Sequence, residues 1–469
     1  MQSLQHFSRP LGWQRRGDKY LLWAKRGIWV YFWLLILEGA LRKWILPGFS
    51  APLLIVRDPI VLFIYWSAYR SRRIPSRDLA PFAIVALMLV ALAMVQVAIR
   101  IEDPSIALYG VRSYLLHLPL IFVVKYAFTK EDVRQVGRWL MILSVPMTLL
   151  MIQQYRASST SWLNAGAGGA TGAQLLFAGE HVRASGTFSF VTGTANFFPF
   201  VQAFLILGIA RIGTYPNWLV GAATVANIVA LPVSGSRTLL FASIIVVGCG
   251  VLSLFSNLPS FSRLISVGIG VLIAVLICSQ VSVFRDSLTS FRERWEAAGR
   301  TEGGEGAQGT LKLRVLDALI QPFATLGDQP LLGSGIGLGS NVAAASKTGE
   351  QGFLLAENEW LRMVEECGPV FGFLFLGYRV LLCGMLIAAP LSSRGRQATL
   401  GLLLAAAVVP QILLNGIEQT TNLGFMALGG GLCLAAAKRT RIPHVPSQMA
   451  PVHVGLTDDF QPEPRPHRA

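Results

Sequence analysis

Leu79-Ala-Pro-Phe-Ala-Ile-Val-Ala-Leu-Met-Leu-Val-Ala-Leu-Ala-Met-Val-Gln-Val-Ala98 runs for twenty residues without an ionisable group. As a helix it is about 30 Å long, the thickness of a bilayer's hydrocarbon core. Arg70, Arg72, Arg73 and Arg77 crowd the gap just before it. The same alternation repeats along the chain. Apolar runs of similar length occupy 28–46, 51–69, 107–127, 136–154, 196–213, 217–233, 238–256, 264–284, 368–390, 398–414 and 421–437. Backbone N–H and C=O groups find no water in hydrocarbon, so such runs must pair internally as helices. A transmembrane barrel needs alternating segments of about ten residues instead. The expected fold is all-α, a polytopic transmembrane bundle of about twelve spans.

Composition agrees. The 469 residues are 53% hydrophobic and 14% charged, with a mean hydropathy of +0.53, whereas soluble domains carry about 25% charged residues. The net charge of +15 is dispersed among short gaps between apolar runs, which argues for membrane topology and against nucleic acid as a partner. Cys249, Cys278, Cys367, Cys383 and Cys433 sit in or beside apolar runs and form no CxxC. That pattern fits small buried hydrophobes rather than a disulfide framework or zinc site. The basic amino terminus lacks a small-residue cleavage site after its first apolar run, so that run is read as a retained span.

The connections order the bundle. With residues 1–27 as a cytoplasmic basic segment, the Arg70–Arg77 cluster falls on the same side. Lys125, Lys130, Arg134, Arg138, Arg211, Arg263, Arg394, Arg396 and the Lys438–Arg439–Arg441 end join it. This is the positive-inside arrangement. The membrane domain is 28–437, and 438–469 is a cytoplasmic tail, proline-rich and expected to be disordered. Two outer connections are long, 155–195 and 285–367. The second is expected to be partly helical and to fold over the outer mouth, its Gly299–Gly309 patch joining two helices.

Charges inside spans demand partners or water. Glu38 and Arg42 are spaced to pair on one helix face, and Lys43 is expected to extend to the headgroups. Arg112 and His117 open the fourth span, where Arg112 fits either an anionic substrate or a snorkelling side chain. Arg379 lies mid-span and calls for an acid such as Glu38. On the outer side, Arg183 precedes Ala184-Ser185-Gly186-Thr187 and Arg237 follows Gly235-Ser236. Small neighbours let a bulky headgroup approach, and a guanidinium grips phosphate through two parallel hydrogen bonds. The long loop adds Arg314 in Leu311-Lys-Leu-Arg314, and the run Gly333-Ser-Gly-Ile-Gly-Leu-Gly-Ser-Asn341. That run lacks the GxxxxGK[ST] order and reads as a tight turn or close packing. Glu357-Asn358-Glu359-Trp360-Leu361-Arg362 closes the loop. Glu357 or Glu359 fits a group that orients or deprotonates a sugar hydroxyl, and either fits a solvated loop acid. If Glu357 is the base, Glu359 points elsewhere on its helix and its loss should be the milder one.

Taken in order, these features resemble the O-antigen polymerase and ligase superfamily of bacterial envelope glycosyltransferases. They are Arg183-Ala-Ser-Gly-Thr-Phe188, Ser236-Arg237, Leu313-Arg314, Pro330-Leu-Leu-Gly-Ser-Gly-Ile-Gly-Leu-Gly339, Glu357-Asn-Glu-Trp-Leu361 and Glu366-Cys-Gly368. Glu38-Gly-Ala-Leu-Arg-Lys-Trp44 and Arg57-Asp-Pro59 resemble exopolysaccharide-associated members. The likeness covers roughly 80–437 and is carried by order more than by one strict signature. It implies glycosyl transfer at the periplasmic face of the bacterial inner membrane, without cofactor or metal. The donor would be an undecaprenyl-pyrophosphate-linked glycan and the acceptor a glycan hydroxyl, with envelope polysaccharide assembly proteins as possible partners. It further implies that Arg183 and Arg237 hold the pyrophosphate, with Glu357 beside them in catalysis. Arg314, Asn358, Arg112 and Arg362 would then contact substrate. Ligases of the superfamily carry a histidine where this chain has Glu357, which favours a polymerase over a ligase. Protein oligosaccharyl transfer stays open, and a lipid-linked glycan flippase is the alternative of another class.

Overall fold

The computed structural model describes residues 11–170, 174, 181–211, 213–255, 268–270, 272–301, 316–349, 354–393 and 396–438. These fold as helices, with no β-sheet among them. In chain order they are α1 Leu11–Ala40, α2 Asp58–Ser71, α3 Ser76–Ala98, α4 Pro104–Leu115, α5 Leu120–Ala127 and α6 Lys130–Arg156. Then come α7 Val191–Ala210, α8 Asn217–Ser234, α9 Arg237–Phe255, α10 Gly268–Cys278 and α11 Ser282–Thr301. The chain continues with α12 Ala318–Ala324, α13 Asn341–Thr348, α14 Glu359–Leu391, α15 Arg396–Leu414 and α16 Thr420–Ala436. A π-helical turn, Leu41–Ile45, extends α1.

Two helices make the centre. α7 is 83% buried over its span, against 17% for the peripheral segment Pro47–Ser71. Every residue of α16 from Asn422 to Ala436 is buried. Its glycines let neighbours approach the backbone closely: Gly429 meets Phe200, Gly430 meets Ile121 and Gly431 meets Val124. Small residues at such contacts replace the hydrophobic drive that lipid cannot supply.

Among the described residues, eight helices are long and apolar enough to cross a membrane, or nine if the bent pair α10–α11 counts as one. This is fewer than the twelve spans expected. Three of the expected runs, 238–256, 398–414 and 421–437, are covered by shorter apolar helical stretches, Arg237–Ser253 within α9, Ala398–Leu414 within α15 and Thr420–Ala436, which is α16. Enclosure explains the shortness of α16, because a helix walled by protein does not need to match the hydrocarbon thickness. The expected span 107–127 is broken after Leu115, and Tyr65 Oη donates to the freed Leu116 carbonyl at 2.6 Å. Polar satisfaction of that kind permits irregular backbone at membrane depth. The expected span 264–284 bends by 100° between α10 and α11.

Several of the basic groups expected to share a side, Arg73, Lys125 and Lys438 among them, are held at one end of the bundle, while Arg263, Arg394, Arg439 and Arg441 lie outside the described residues. There Arg73 pairs with Asp18 at 2.5 Å, Lys25 with Asp132 at 2.6 Å, and Lys125 with Asp78. Lys438 Nζ donates to the Tyr126 carbonyl at 3.4 Å. The long connection 285–367 is partly helical, as α11 to α13 show. The Gly299–Gly309 patch beyond Thr301, Arg314 and the tail from 439 lie outside the described residues.

Candidate functional site

The opposite end of the bundle is built around a chain reversal. Gly368 takes φ 73° and ψ 167° inside α14 and Pro369 follows, so the helix folds back and Gly372 packs on the backbone of Met363 and Val364. A positive φ combined with so extended a ψ suits glycine, and a Cβ here would strike Leu331. The reversal brings Arg379 to Glu359, at 2.6 Å. Arg379 also donates to the carbonyls of Ile412 (2.7 Å) and Asn415 (2.9 Å). Arg362 pairs with Glu359 and Glu418 and lies 3.7 Å from Glu366. Three carboxylates thus surround two guanidiniums. Such groups survive burial because each is answered by an opposite charge or a hydrogen bond.

Glu366 anchors the glycine run. Its carboxylate accepts from Gly337 N at 2.7 Å, Gly339 N at 2.9 Å and Tyr114 Oη at 2.6 Å. Gln96 ties the same loop from α3, donating to the carbonyls of Leu332 (2.5 Å) and Glu366 (2.9 Å) and accepting from Ile336 N (2.9 Å). Gly337 lies backbone to backbone on Gly110, where a Cβ would sit 2.6 Å from the Gly337 Cα. The loop does both things expected of this run: it packs closely, and it turns tightly, with Leu338 N donating to Gly335 O and Ser340 N to Gly337 O. Lys347 then secures α13 to the buried Glu102 at 2.9 Å.

A second charged group joins α1, α2 and the Arg183 segment. Arg57 pairs with Glu38 at 2.7 Å and donates to the Thr420 carbonyl at 2.5 Å. The expected Glu38–Arg42 contact is longer, at 3.8 Å. Lys43 does not reach outward. It is 2% exposed and donates to Ser185 Oγ (3.0 Å), Gly186 O (2.9 Å) and Phe188 O (3.1 Å). The Arg183–Phe188 segment covers that part of α1, so the nearest acceptors for the ammonium are inside the protein. Gln154 holds Gly186 by both its N–H (2.7 Å) and carbonyl (3.0 Å), and Thr187 Oγ1 donates to Ile36 O at 2.8 Å. Arg183 therefore leaves a rigid platform. Alongside, Asp58 takes both Arg112 and His117, and His117 Nδ1 meets Tyr31 Oη at 2.9 Å.

Between these groups runs a line of neutral amides. Asn196 Nδ2 donates to Asn422 Oδ1 at 2.7 Å, and Asn415 Nδ2 donates to Asn196 Oδ1 at 3.0 Å. Asn422 Nδ2 reaches Gly416 O (3.2 Å) and Gln419 Oε1 (3.1 Å), and Thr192 Oγ1 donates to that same Oε1 at 3.2 Å. α9 runs parallel to α7, with Gln202 donating to Ser243 Oγ at 2.7 Å. Stepping back from Ser243 to Arg237, and equally along α7, reaches Asn196. Arg237 is thereby level with the amide line.

The expected site residues divide accordingly. Arg183 and Arg237 stand at this end, Arg183 half-buried and Arg237 buried. Glu357 is exposed at the approach to α14, whereas Glu359 is buried in the charged hub. Glu359 is thus no mild comparison: its loss strikes the fold. Asn358 caps α14 by accepting from Trp360 N at 3.1 Å and donates to Ala318 O at 2.9 Å. Arg362 is enclosed by carboxylates, and Arg112 pairs with Asp58 through Nε and Nη2.

No known family model and no curated protein matches this chain.

The acid that balances Arg379, the cage around Glu366, the inward Lys43 and the amide line all escaped the sequence reading. Asn196, Asn415 and Asn422 at the ends of apolar runs were the available signal for the last.

Proposed function

We propose that the protein polymerises undecaprenyl-pyrophosphate-linked glycan repeat units, by glycosyl transfer at the periplasmic face of a bacterial inner membrane. In this reading the bent pair α10–α11 and the three short apolar helices complete twelve crossings, and the end holding Lys125 and Lys438 is cytoplasmic. One observation carries the proposal. Among the described residues, segments that resemble the polymerase and ligase superfamily, spread from Glu38 to Gly368, meet at one end of the bundle as an interlocked charged site.

The chemistry asks for little. Pyrophosphate is a good leaving group, and Arg183 and Arg237 would stabilise the charge that grows as the anomeric C–O bond breaks. Attack by an acceptor hydroxyl from the opposite face inverts the anomeric carbon. Glu357, exposed at the mouth, would orient that hydroxyl and take its proton. Arg362, Glu359 and Glu366 act one step back, by holding the loop and the reversal in place.

The test is purified protein with lipid-linked repeat units. Longer lipid-linked chains are the expected product. Transfer to lipid A core would make it a ligase and transfer to protein an oligosaccharyltransferase. No bond formation, with movement of the lipid-linked glycan across the bilayer, would replace the enzyme reading with transport.

A further inference from the structure

We propose that Gln419 and Asn415 form a subsite for an acetamido-bearing sugar, gripping its amide through one donated and one accepted hydrogen bond. The proposal deepens the glycan-transfer reading and rests on it for the source of the sugar.

The argument starts from a group that cannot be turned round. Gly416 O is a backbone carbonyl and only accepts, so Asn422 must present its NH2 there and to Gln419. Asn422 Oδ1 then faces Asn196, which must donate to it. Asn196 Oδ1 in turn takes the Asn415 NH2. Reversing any of these amides would set like against like. The polarity of the line is therefore set at both ends. Gln419 has its oxygen engaged twice, by Asn422 and Thr192, and its Nε2 has no hydrogen-bond partner among the described residues. Asn415 has its nitrogen engaged, and its Oδ1 has none. Both side chains are half-buried, while Asn196 and Asn422, which orient them, are buried.

A hydroxyl rotates to suit either polarity and needs no such construction. A fixed donor with a fixed acceptor on one short loop complements a secondary amide, whose C=O accepts from Gln419 and whose N–H donates to Asn415. Arg237, level with Asn196, suits a pyrophosphate attached to that same sugar.

Full-length protein in lipid nanodiscs should be titrated with chitotriose, cellotriose and, separately, inorganic pyrophosphate. The two trisaccharides differ in their acetamido groups and are both neutral. We expect chitotriose to bind about tenfold more tightly or better, the scale of one to two hydrogen bonds. Gln419→Glu keeps the two accepted bonds and replaces the outward donor with a charged acceptor, so it should abolish the preference while retaining the unfolding midpoint. Thr192→Val loosens the Gln419 amide and should weaken chitotriose binding several-fold, which keeps the test decisive if Gln419→Glu folds poorly. Equal affinity for both trisaccharides in the wild type overturns the subsite, as does a preference that survives in the folded variants. Pyrophosphate reports the arginines independently. Failure to bind it, with the acetamido preference intact, counts against glycosyl transfer and leaves the subsite standing.

Discussion

Arg379→Met should be among the most damaging single changes in the bundle, and its cost follows from the hub. Arg379 makes three hydrogen bonds, to Glu359, Ile412 O and Asn415 O. At about 0.6–1.7 kcal/mol each in a membrane protein, their loss amounts to about 2–5 kcal/mol. Removing one partner of a buried ion pair points to a similar figure, about 3–5 kcal/mol. Charge adds an asymmetry. Glu359, Glu366 and Glu418 against Arg362 and Arg379 leave one net negative charge. Arg379→Met raises this to two, whereas Glu359→Gln removes it and keeps an oxygen for Arg379. We therefore expect Glu359→Gln to cost less, about 1–3 kcal/mol. The double variant Glu359→Met/Arg379→Met restores the original charge and should recover at least about 1 kcal/mol relative to the sum of the single variants Glu359→Met and Arg379→Met. Equilibrium unfolding in bicelles by steric trapping measures all four. An Arg379→Met protein within about 0.5 kcal/mol of wild type, or a larger loss in Glu359→Gln, would refute the balance described.

Arg183→Lys and Arg237→Lys should each lose part of the transfer activity because lysine lacks the planar fork, and alanine more, on the order of 10–10²-fold apiece; full activity in the double alanine variant at normal abundance removes their role. Glu357→Gln should bind lipid-linked donor normally and slow single-turnover transfer roughly 10²-fold; transfer at the wild-type rate would mean Glu357 is not the base. Cysteines introduced at Arg77 and Leu331 should label from opposite faces of sealed vesicles; labelling from one face falsifies the topology.

Apolar length made the bundle legible, because a run without charges has few alternatives in a membrane chain. It was less informative about α9 and α15, which pack against other helices, and about α16, whose role at the centre depends on what surrounds it. The start of the tenth expected span, 368, coincides with the reversal at Gly368. That Arg379 then meets Glu359 was not readable, since the pairing exists only after the helix folds back. Lys43 was misread for a related reason: sequence shows how far a side chain extends, not which segment covers it. Charged residues drew attention because burial makes them costly. Asn196, Asn415, Gln419 and Asn422 carry no charge, so the most directional part of this end went unnoticed.

The enclosed position of α16 has a consequence for how the chain is made. Thr420–Ala436 is translated after every helix it touches, yet it occupies the middle of them. Until it enters, Phe200, Ile121 and Val124 line a vacancy, and Arg57 lacks the Thr420 carbonyl and the close approach to Gly424. The early helices must therefore wait in the bilayer as an open ring, and the central helix closes it from within. A nascent chain halted after Leu414 would present that unfilled ring to quality-control proteases, and we expect it to be degraded instead of accumulating as a stable fragment.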